Sequence, residues 1–64
     1  MTIHERATAA LQRAAENGYA DQLRAMSAAN LAMDLASYDA DLEGLADDEY
    51  DQLILACQDW LTGH

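Results

Sequence analysis

The sequence predicts an all-α fold, a small single-domain bundle of about four short helices spanning residues 1–64. Three observations predict it. Ala and Leu are the commonest residues (14 and 9), Val and Pro are absent and Gly occurs three times, a composition that suits helix because Ala and straight-chain residues lose least on entering one. Apolar residues recur at three- and four-residue spacing through most of the chain, which is the period of an amphipathic helix. Capping residues and glycines sit where those stretches begin and end. An all-β fold is excluded on the same grounds.

The first helix is expected over residues 3–16. Thr2-Ile3-His4-Glu5 has the S/T-x-x-E form of a capping box, in which the Thr hydroxyl and the Glu carboxylate each satisfy an amide of the first turn. Ile3, Ala7, Ala10, Leu11 and Ala14 then share one face, and Asn17-Gly18 supplies a stop that tolerates a left-handed backbone. The pattern resumes at Tyr19 with Leu23 and Met26, then shifts register before Leu31, Leu35 and Tyr38. A break with Ser27 as cap accounts for the shift, giving helices over residues 19–26 and 28–38. Residues 37–43 have little periodicity and run into Gly44, which reads as a loop or a single short turn. Asp47-Asp48-Glu49 places three acids where the positive end of a helix dipole favours them. The last helix follows over residues 48–61, with Tyr50, Leu53, Ile54, Cys57 and Leu61 as its apolar stripe and Leu53 and Ile54 at the centre of the core.

Charge is divided unevenly along this chain. Twelve acids oppose three Arg and no Lys, for a net −9. Residues 1–24 are neutral, with Glu5, Glu16 and Asp21 against Arg6, Arg13 and Arg24, so residues 25–64 carry the whole excess. Asp34, Asp39, Asp41, Glu43, Asp47, Asp48, Glu49 and Asp51 are the candidate partner-binding residues. A merely solvated helical face usually alternates sign, because opposite charges at i,i+4 stabilise a helix and like charges destabilise it. A cluster without alternation points to a basic partner. The same field opposes direct binding to nucleic acid or an anionic membrane, both of which require Lys/Arg patches. Carboxylates on adjacent helical turns lie about 5–6 Å apart, close to the roughly 6–7 Å between phosphates along one strand of a duplex. Such a surface can stand in for DNA in a DNA-binding groove.

Other constellations carry less. Asp39-Ala40-Asp41-Leu42-Glu43-Gly44 matches the first half of an EF-hand loop, but the twelfth position falls on Tyr50 instead of the bidentate Glu. His4 and His64 stand at opposite ends with one Cys between them, unlike a zinc spacing, and both read as surface groups. No metal or cofactor is expected. Cys57 reads as a small core residue, Met26 and Met33 as core fillers, and Trp60 as either the edge of the core or a partner contact. The plentiful carboxylates lack a His, Lys or apolar pocket to split their roles into acid and base, so no enzyme is expected. One Cys, no secretory leader and no long apolar run suggest a cytoplasmic protein. A core of this size rarely supplies more than about 3–5 kcal/mol, which makes a homodimer as admissible as a monomer.

A short, Lys-free acidic helical chain that begins Met1-Thr2-Ile3-His4-Glu5 and carries Asp39-Ala40-Asp41-Leu42-Glu43 and Asp47-Asp48-Glu49-Tyr50-Asp51 resembles the small phage-encoded anti-CRISPR proteins that mimic DNA, with type I-C Cascade as the target class. The resemblance is one of overall character. It implies a non-enzymatic inhibitor, acting in the host cytoplasm, that fills the basic channel where Cascade reads the protospacer-adjacent duplex. The acids listed above would be the phosphate stand-ins. The alternative is a small helical regulator, such as an antitoxin or regulatory subunit, anchored by its aromatic and apolar residues.

Overall fold

The computed structural model describes residues 2–63, with Asp41 described by its backbone alone. The described residues contain no strand. The elements in chain order are α1 (Ile3–Ala14), a π-helical turn (Ala15–Tyr19), α2 (Ala20–Arg24), α3 (Ala28–Tyr38), a 3-10 turn (Ala40–Leu42) and α4 (Asp47–Gly63). Three of these, α1, α3 and α4, are long enough to form a bundle. The four-helix expectation is corrected here: the helix assigned to residues 19–26 is only the five-residue α2, set off from α1 by a kink at Gly18.

Local chemistry explains the helix ends. The Glu5 amide donates to Thr2 Oγ1 at 3.1 Å and the Thr2 amide donates to Glu5 Oε1 at 3.2 Å, so the capping box is complete. The Thr2 amide and then its hydroxyl hold the Glu5 carboxyl below the usual carboxylate range, since both donate to its charged form. Gly18 adopts φ +96°, a conformation that only glycine enters cheaply, and the helix axis changes direction there. Ser27 Oγ accepts from the Asn30 amide at 3.3 Å and opens α3 as expected. At α4 the Glu49 carboxylate accepts from the Ala46 amide at 3.1 Å while the Tyr50 amide bonds the Ala46 carbonyl at 2.8 Å. α4 thus begins at Asp47, and it runs to Gly63, two residues beyond the expected 61.

α4 is the platform of the fold, because α1 and α3 both pack on it. Each long helix contributes one fully buried alanine, Ala7, Ala32 and Ala56, and small side chains let helix axes approach closely. Leu11, Leu31, Leu35, Leu42, Leu53, Cys57 and Trp60 fill the remaining core. Leu42 comes from the 3-10 turn and closes the core at that end. The Cα radius of gyration is 10.5 Å, close to the roughly 11 Å expected for a folded chain of this length.

Two expectations about the core are corrected. On α4 the buried stripe is Leu53, Ala56, Cys57 and Trp60, while Tyr50, Ile54 and Leu61 pack at its margin. The inward face is therefore rotated from the one that side-chain hydrophobicity suggests, toward the small Ala56 and the large Trp60. Met33 is 59% exposed instead of filling the core. It lies two residues from both Leu31 and Leu35, and at about 100° per residue that places it on the opposite side of α3. Met26 does pack against the core, as expected. Burial pushes the Cys57 thiol up to about 11, consistent with a core residue that has no charged neighbour to favour thiolate.

Candidate acidic interaction surface

The acids selected from the sequence divide into two groups. Asp47, Asp48 and Glu49 form the first turn of α4, Asp51 lies one turn on, and Glu43 precedes them after the 3-10 turn; Glu43, Asp47, Asp48 and Asp51 are exposed and Glu49 is half-buried. Glu49 has a second task, since one of its oxygens caps Ala46. Asp47, Asp48, Asp51 and Glu43 have no ion-pair or hydrogen-bond partner among the described side chains. Chain connectivity brings these five residues to one end of α4, where their negative charges also complement the helix dipole.

Asp34 and Asp39 lie on and after α3. Asp34 is exposed in the middle of α3, and Asp39 is the partly buried C-cap of that helix, its amide bonded to the Leu35 carbonyl at 2.9 Å. Both line a concavity bounded by α1, the π turn, α2 and α3, to which α4 contributes no residue. The Asp41 side chain, like His64, lies outside the described residues. The compact group is Glu43, Asp47, Asp48, Glu49 and Asp51.

Two contacts across the bundle involve residues that sequence spacing does not connect. His4 Nε2 lies 3.2 Å from Asp59 Oδ2 and ties the start of α1 to the end of α4. Both side chains are more than half exposed, so this contact stabilises the fold little. Arg24 stacks over the Trp60 ring at 4.9 Å from its centroid, which engages one of the three cations with the core aromatic. The indole that sequence leaves between core and interface is 7% exposed and belongs to the core. Tyr19 and Tyr38, from different elements, both line the same concavity.

Among the described residues no group of three or more His, Cys, Asp or Glu is arranged to hold a metal ion. The segment matching half an EF-hand loop folds as the 3-10 turn followed by Gly44 at φ +70°, with Leu42 inserted into the core. No described helix is long and apolar enough to cross a membrane. No protein-family model, curated protein or solved structure matches this chain.

Proposed function

We propose that this protein is a non-enzymatic inhibitor that mimics DNA, its acidic surface occupying the basic channel through which a type I-C Cascade complex recognises the protospacer-adjacent motif. The observation that carries this reading is the run of exposed Glu43, Asp47, Asp48 and Asp51 with half-buried Glu49 at the start of α4, without a paired cation among the described residues. The helix dipole favours acids at Asp47, Asp48 and Glu49 in any case, and the run extends beyond that turn to Glu43 and Asp51, as a phosphate mimic requires. The spacing of carboxylates on successive helical turns, about 5–6 Å, suits sites that accept backbone phosphates. Glu43 and the first two turns of α4 are the phosphate stand-ins, and Asp34 and Asp39, on the concavity, are secondary to them. Target binding is blocked by occupation, with no bond made or broken in the DNA.

The test is competition for Cascade between this protein and a target duplex. Adding the protein should prevent duplex binding without altering the DNA, and preloaded duplex should exclude the protein. Affinity should fall steeply once added salt shortens the Debye length below about 10 Å. Asp47→Asn, Asp48→Asn and Asp51→Asn together should weaken binding far more than Glu5→Gln and Glu16→Gln, chiefly through slower association. A stable ternary complex of Cascade, duplex and this protein with unchanged DNA affinity would overturn the mimicry and leave the helical-regulator reading in its place.

A further inference from the structure

A three-helix bundle has three seams, and one of them is open in this fold. α1 and α3 each pack on α4 but scarcely touch one another. Between them lies a concavity of about 720 Å3, with buried Leu31 and Leu35 at its base and Tyr19 and Tyr38 on its margin, 53% and 88% exposed. Arg13 lines it from α1 and Asp34 lines it from α3. Both are exposed, and neither has an ion-pair partner among the described residues.

We propose that this seam is the interface of a two-fold homodimer in which α1 of each copy lies over α3 of the other and Arg13 pairs with the second copy's Asp34. A second copy is the occupant because the seam is complementary to itself. It carries Arg13 on the α1 wall and Asp34, with the partly buried Asp39 at the helix end, on the α3 side, and a two-fold axis along the seam superposes each wall on its opposite, forming the Arg13 to Asp34 pair twice. An axis across the seam would set Arg13 against Arg13 and is disfavoured. Two chains of net −9 also repel, so they should meet away from the acids of α4. The seam satisfies this, since no α4 residue lines it. Exposed tyrosines supply the apolar body and polar tip that interface anchors need.

Area sets the strength. A standard interface removes about 800 Å2 from each partner, roughly a fifth of the 4180 Å2 surface of this chain. The concavity by itself is smaller than such an interface, so the flanking faces of α1 and α3 must also be covered in the dimer. This inference goes beyond the DNA-mimic reading and stands independently of it.

Mass measured by sedimentation or light scattering, from roughly 1 μM to 1 mM, tests it. The value should rise from 7.0 kDa toward twice that mass with concentration. Arg13→Asp or Asp34→Arg alone should weaken dimerisation at least about tenfold by setting like charges together, and the two substitutions in one chain should restore it. Both positions are exposed, so far-UV circular dichroism of each variant should match the parent. Amide chemical shifts that move with concentration should map to α1, the π turn and α3. A constant 7.0 kDa mass, single reversals without effect, a double variant that stays monomeric, or shifts confined to the outer face of α4 would each overturn the proposal. A concentration-independent monomer whose seam instead takes up a synthetic basic amphipathic helix would also overturn it, in favour of another protein as occupant.

Discussion

Leu53 and Ile54 are neighbours on α4 that the fold treats differently, and replacing each with Ala separates the observed helix rotation from the one hydrophobicity alone suggests. Leu53 is fully buried where α4 meets its packing partners, whereas Ile54 packs at the margin of the core with part of its side chain in water. Leu→Ala removes three carbons, which at about 0.8 kcal/mol each is about 2.4 kcal/mol of transfer free energy. The enclosed cavity adds to this, for a total of about 2–5 kcal/mol. Ile54→Ala removes the same number of carbons from a site that solvent reaches, so the loss is about 1–2 kcal/mol with no sealed cavity. Against a total stability of about 3–5 kcal/mol, Leu53→Ala should remove half or more of the stability at room temperature. Ile54→Ala should still unfold cooperatively. Urea titration followed by far-UV circular dichroism measures both. Equal losses, or a larger loss at Ile54, would refute the rotation that buries Ala56 and Trp60 and restore the stripe of Tyr50, Leu53, Ile54, Cys57 and Leu61.

Ser27→Ala removes the hydroxyl that caps α3 and should lower stability by about 1 kcal/mol, while Ser27→Gly should cost only a few tenths; the same urea titration distinguishes them. The Cys57 thiol, pushed up to about 11 by burial, should react with alkylating reagents far more slowly in the folded chain than in urea. Because the folded state holds this proton at pH values where the unfolded chain releases it, the contribution is fully present below the ordinary thiol range near 9 and is lost as pH rises toward 11. Cys57→Ser should change the alkaline limb of the stability profile, and an unchanged limb would exclude this origin.

Helix boundaries were legible in the sequence wherever the signal is local. Thr2 with Glu5 and Ser27 with Asn30 act across three residues, and the left-handed turn falls on the glycine after Asn17, so no knowledge of distant neighbours was needed to find them. The all-α class and the division between a neutral N-terminal third and an acidic remainder are likewise properties of composition and order alone. The face that α4 turns inward was not legible. Two overlapping stripes fit the helical period, and the choice between them depends on which neighbour approaches and how closely, which the small Ala7, Ala32 and Ala56 decide together. Arg24 over Trp60, and His4 beside Asp59, join residues far apart in sequence, and no periodicity encodes such pairs. Charge is carried by residue identity, but which charges share a surface depends on how helices rotate about their axes and cross, and packing of the whole chain sets that geometry.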